Sequence, residues 1–259
     1  MKKIIYISII LLALIFHNTL TGSAIKENSL PFQMGEKLVF SVDFGILNGG
    51  KYTMSIQNGE SLGGKSVYTI TSEANTNSVF DVIYKVRDVM RSYWDQDDLF
   101  SLRYVKRISE GGWQQYRVQY FFPSDTTAYD VKYKKGKPVR EKFQALPFPQ
   151  DELSIFYFMR CQKLEIGDSL HANIIASGEA YRTRIDIIGR EKMKTIFGKI
   201  DCIKVKPFLK YIIKDNVEFF VWFTDDEYKI PVKLMVKVKY GKFTFNLKDA
   251  ENVGLKIVD

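Results

Sequence analysis

Apolar side chains recur at every second residue along most of this chain, a period that belongs to strands. In "KLVFSVDF" Leu38, Phe40, Val42 and Phe44 share one phase, and in "QYRVQYFF" Tyr116, Val118, Tyr120 and Phe122 do. "AYRTRIDI" repeats the pattern with Tyr181, Thr183, Ile185 and Ile187. In "PVKLMVKVK" Val232, Leu234, Val236 and Val238 alternate with Lys233, Lys237 and Lys239. Successive strand residues point to opposite sides, so such segments bury one face and wet the other, as in antiparallel sheets covered on one side. Between them stand Asn48-Gly49-Gly50, Gly63-Gly64, Glu110-Gly111-Gly112, Lys135-Gly136 and Tyr240-Gly241, the residues that tight hairpin turns favour. The expected fold is mainly β: a large antiparallel curved sheet, an open barrel or a sandwich.

One stretch breaks the rhythm. In "PFPQDELSIFYFMRCQKLEIGD" apolar residues from Leu153 to Leu164 fall on nearly every face of a helix, with Asp151 placed to cap it. A helix apolar all round must be buried all round. One α-helix near residues 151–164 is therefore expected on the concave side of the sheet, as core filling; the functional alternative is a helix guarding a lipid cavity.

Residues 1–24 read as a signal peptide: Lys2 and Lys3, an apolar run from Ile4 to Phe16, then Gly22-Ser23-Ala24. The run is short against the ~20 residues of a membrane span. Residues 25–259 are expected to form a single β-rich domain. "MGEKL" at 34–38 echoes "IGDSL" at 166–170, and "WDQDDLFSL" at 94–102 echoes "WFTDDEYKI" at 222–230. These echoes allow two similar half-sheets, about 34–148 and 165–250, with chance likeness between hairpins as the alternative. The expected location is the periplasm or the outer envelope periphery. The chain carries a formal charge of +8, and removing residues 1–24 takes away two lysines and no acid. A basic exported protein suits a lipid, an anionic glycan or another envelope protein as partner, and export argues against nucleic acid.

His171 is the only histidine after His17. A multi-histidine metal site is therefore impossible, and any Ser-His-Asp system must use His171, which shares the polar face of "SLHANIIAS" with Asn173. Cys161 and Cys202 are either a bridge or two buried thiols. No metal and no cofactor is expected. Asp225, Asp226 and Glu227 follow an aromatic strand and precede Pro231, a turn context in which Asp accepts bonds from backbone N–H groups just ahead. The rival reading is a glycan-active hydrolase using Asp151 with Glu152, or the Asp225 cluster. The leading candidate for ligand binding is the basic strand face of Lys233, Lys237, Lys239, Lys242 and Lys248, an electrostatic surface for anionic lipid or glycan; the plainer reading is a solvated face that discourages edge pairing.

Four ordered blocks, "GEKLVFSVDFGILNGGKYTMSI", "PFPQDELSIFYFMR", "GREKMKTIFGKIDCIKVKP" and "VWFTDDEYKIPVKLMVKVKYGKFTFNL", resemble the exported bacterial family called domain of unknown function 3108, from about Gly35 to Leu247. The resemblance implies an envelope protein with a large antiparallel β structure and carries over no catalytic residue. The expected function is that of a non-enzymatic binding or assembly scaffold.

Overall fold

The computed structural model describes residues 30–134, 136–208, 217–239 and 241–258. The signal peptide expected over 1–24 lies outside them. In chain order the elements are β1 (Lys37–Phe44), β2 (Leu47–Asn58), β3 (Val67–Thr76), α1 (Ser78–Asp81), β4 (Arg87–Asp95), β5 (Ser101–Glu110), β6 (Trp113–Phe122), β7 (Thr127–Lys134) and β8 (Lys137–Gln144). There follow α2 (Ser154–Arg160), β9 (Ser169–Ala176), β10 (Glu179–Thr195), β11 (Gly198–Pro207), β12 (Glu218–Thr224), β13 (Pro231–Val238) and β14 (Gly241–Glu251).

All the strands form one antiparallel sheet. Sequence neighbours pair with each other except β8 and β9, and the first strand pairs with the last, so two runs spread outward from the β1–β14 pair and end at β8 and β9. The sheet curls until residues 145–151 tie its β9 margin to β4 and β5. Gln150 pairs in parallel with Ile174 of β9, while Ser101 at the start of β5 donates its N–H to the Pro149 carbonyl at 2.8 Å. The Gln150 side chain donates to the Leu99 carbonyl at 2.8 Å and accepts from the Trp94 indole at 3.0 Å.

The concave side is the core. Leu38, Phe40, Met54, Ile70, Val221 and Phe223 from the sheet meet Ile155, Phe156 and Met159 from α2, all buried. The helix is shorter than the sequence pattern suggests because Asp151 holds the preceding turn rather than entering the helix. Its carboxylate accepts from the N–H groups of Leu153 and Ser154 at 2.8 and 2.9 Å, while its own N–H donates to the Ser154 hydroxyl at 2.9 Å. That reciprocal pair satisfies donors a helix start would otherwise leave unpaired. The void between α2 and the sheet, lined by Tyr52, Met90, Phe156 and Phe245 among others, is about 20 Å³, room for about one water. Among the described residues the helix therefore fills the space it faces, with no lipid-sized void between it and the sheet there.

Several charged groups buried in this core have partners of opposite charge. Arg160, 1 % exposed, grips the equally buried Glu36 through both terminal nitrogens and donates to the Pro31 and Tyr228 carbonyls. Lys106 and the Tyr104 hydroxyl both donate to Glu152, at 2.6 and 3.1 Å. Strand β6 runs in the phase opposite to the one its aromatics suggest. Arg117, Gln119 and Phe121 are buried, whereas Tyr116 and Tyr120 are half-buried and Phe122 exposed. Arg117 can face inward because Asp130 accepts from it through both carboxylate oxygens.

Candidate functional site

The acidic cluster is a turn. One oxygen of Asp226 accepts from the N–H groups of Tyr228 and Lys229, at 2.9 and 3.0 Å, and from the Thr224 hydroxyl at 2.9 Å. Asp225 pairs with Arg190. The other acids considered for hydrolysis are likewise engaged by the protein: Asp151 also accepts from the hydroxyls of Ser92 and Ser101, each at 2.5 Å. Cys161 and Cys202 are free thiols, and burial pushes each up to about 12. His171 is exposed on the outer phase of β9.

The five lysines divide. Lys237 lies directly opposite Lys242 across the β13–β14 hairpin, and Lys239 leads into the turn between them. Lys237 also pairs with Glu218 at 3.0 Å. Lys233 lies farther along β13, half-buried over the Trp222 ring at 4.9 Å, and burial, then the Lys242 charge, lowers its pKa. Lys248 does not join them: it is the extra residue at the bulge between β14 and β1, toward the other end of the strand.

The Lys237–Lys242 end carries apolar tips that period-two reading passed over, because they sit in connections. The β1–β2 turn presents Ile46 at 99 % and Leu47 at 56 % exposure. The connection holding α1 presents Val79, Val82 and Ile83, at 70, 88 and 79 %. The two connections are tied: Asn77 donates its N–H to the Gly49 carbonyl at 3.0 Å and its side-chain amide to the Asn48 carbonyl at 2.7 Å. The lysine hairpin joins them, since Gly45 donates to the Lys242 carbonyl and the Phe44 ring packs 4.8 Å from that of Phe243. At Gly241 any side chain would collide with the Phe44 ring, which would lie 2.8 Å from an added Cβ. Exposed Lys85 flanks the α1 connection.

Beneath the same end, Asp88 and Glu110 share a buried site on β4 and β5. Asp88 accepts from the Ser109 N–H at 2.9 Å, and the Tyr84 hydroxyl lies 3.4 Å from Glu110. Burial first, then the Asp88 charge, raises Glu110 to about 7. On the outer face of β4–β6, Arg91, Arg103 and Arg107 line a groove of about 160 Å³ with Tyr93 and Tyr116. Among the described residues no helix is long and apolar enough to cross a membrane, which says nothing of strands.

Comparison with known proteins adds fold and family. The crystal structure of a β-barrel-like protein of DUF1849 from Brucella abortus is similar at a TM-score of 0.56 and 10 % identity, covering 88 % of this chain and 99 % of that one. Weaker likenesses are a hypothetical protein, CT021, of Chlamydia trachomatis (TM-score 0.34, 8 % identity, 92 and 98 % covered) and a putative lipoprotein of Parabacteroides distasonis (0.31, 11 %, 86 and 99 %). No curated protein matches. The model of the family "Protein of unknown function (DUF3108)" matches residues 39–248, so the chain belongs to the DUF3108 family.

Proposed function

We propose that this is an exported, non-enzymatic envelope protein that docks on an anionic lipid surface through the end carrying Ile46, Leu47, Val79, Val82 and Ile83. The observation that carries the reading is the contiguity of those exposed apolar tips with Lys85, Lys237, Lys239 and Lys242. Apolar side chains held at loop tips gain free energy by entering the headgroup boundary, and each nearby cation adds about 1 kcal/mol on an anionic leaflet. The opposite arrangement, a lipid-spanning barrel, is disfavoured because the outward phases of β4, β5, β10 and β13 carry Arg91, Arg107, Arg184 and Lys237 while the apolar phases are packed on α2.

The test is flotation of the exported, processed protein with vesicles. The parent is expected to float with anionic vesicles and far less with neutral ones, the difference fading with salt. Ile46→Ser with Ile83→Ser should abolish flotation, and Lys237→Gln with Lys242→Gln should weaken it about tenfold to thirtyfold. Equal flotation of parent and both variants, or capture only by a protein partner, would overturn the reading.

A further inference from the structure

We infer that the outer groove of β4–β6 is a binding site for a phosphate group, with Arg91, Arg103 and Arg107 as its ligands. This site is separate from the docking end. The cross-strand register places Arg91 opposite Val105, and Arg103 and Arg107 stand two residues to either side of Val105 on the same face. Such diagonal neighbours have Cα atoms about 7–8 Å apart, within the reach of arginine side chains converging on one tetrahedral anion.

Two of the three guanidinium groups are held in place by rings. Arg103 lies over Tyr93 at 3.8 Å and Arg107 over Tyr116 at 5.1 Å. Stacking fixes the plane of a guanidinium and leaves its N–H edge available for forked bonds. The Arg103 Nε–H is buried with no acceptor, a donor that an incoming oxygen would satisfy. No carboxylate among the described residues pairs with any of the three. Elsewhere on the outer face several cations have acids: Lys206 and Lys237 share Glu218, and Lys204 has Glu191. The nearest outward acid in this row is Glu73, opposite Val89 on β3, which forms no ion pair.

Three like charges without a counterion repel one another, and a dianionic tetrahedral group relieves that repulsion more than a carboxylate does. The groove is smaller than the ~300 Å³ at which whole-ligand pockets begin. It therefore suits the charged group of a ligand whose remainder lies along Tyr93, Tyr116 and the adjoining surface. That chemistry is shared by a sugar phosphate and by a phospholipid headgroup.

Isothermal titration of the full chain with inorganic phosphate, glucose phosphate, short-chain phosphatidic acid and acetate tests the site. The phosphate-bearing probes are expected to bind at least about tenfold more tightly than acetate. Preference for glucose phosphate identifies a sugar phosphate as the source, and preference for phosphatidic acid a lipid headgroup. Arg103→Lys keeps the charge but loses the fork, and should weaken phosphate binding about tenfold or more; exposed Arg91→Gln should do so without touching the fold, as circular dichroism would verify. Exposed Lys199→Gln on β11, outside both sites, should leave binding unchanged. Binding of acetate as tight as phosphate, no heat with any probe at millimolar concentration, or an equal loss in Lys199→Gln would overturn the assignment.

Discussion

Glu110 and Asp88 show how a buried pair writes itself into the stability of this protein. Glu110 has its pKa raised to about 7 by burial and by the neighbouring Asp88 charge, and Asp88 is raised by burial. The folded state therefore binds more protons than the unfolded state between the ordinary glutamate value of ~4.5 and ~7, and stability contributed by this pair falls as pH rises through that window. Glu110→Gln removes the penalty. Chemical denaturation should find the variant more stable than the parent by about 1–3 kcal/mol at pH 8 and little different near pH 4. A stability gap between the two that stays constant with pH contradicts the shared-proton arrangement. Neither residue was distinguishable in the sequence, since Glu110 reads there as the start of a Gly-Gly turn and the pairing needs the β4–β5 register. Arg117 is a related case: an arginine among aromatics reads as outward, and only its partner Asp130, thirteen residues on across the β6–β7 turn, lets it turn inward. The arginine groove went unseen with it, because Tyr116 forms the groove wall only once β6 takes that phase.

At the scale of elements, α2 was the most legible part of the chain. A stretch apolar on every helical face has nowhere to go except the inside of a curled sheet, and there Ile155, Phe156 and Met159 are buried. Its limits were less legible, since the helix spans Ser154–Arg160 and the turn around Asp151 competes with helix for the same N–H groups. Phe156, 3 % exposed, packs toward Phe219 with ring centroids 6.5 Å apart. Phe156→Ala is expected to cost about 3–5 kcal/mol, read from denaturant midpoints at constant slope. A loss below about 1 kcal/mol would mean that the sheet holds its curl without α2.

Across the whole molecule, the echoing stretches stand at corresponding places in chain order. "MGEKL" and "IGDSL" each open the first strand of a run, and each does so with the same two bonds. Gly35 donates to Ile56, which donates back to Glu36; Gly167 donates to Ile187, which donates back to Asp168. The echoing "WDQDD" and "WFTDD" close the fourth strand of each run, β4 and β12. Strand identity was thus readable from period and turns, whereas the gathering of connections at one end depends on the alternation of strand direction around the entire sheet. Ile46, Val82 and Lys242 are remote in sequence and carry no common motif, so only the order β4–β3–β2–β1–β14–β13 brings them together. Hydrogen–deuterium exchange of residues 25–259, with and without anionic vesicles, tests the docking end most directly. Slowed exchange confined to residues 44–48, 78–84 and 241–243 is the expected result; unchanged exchange there, or protection instead around residues 252–258 at the opposite end, would contradict it.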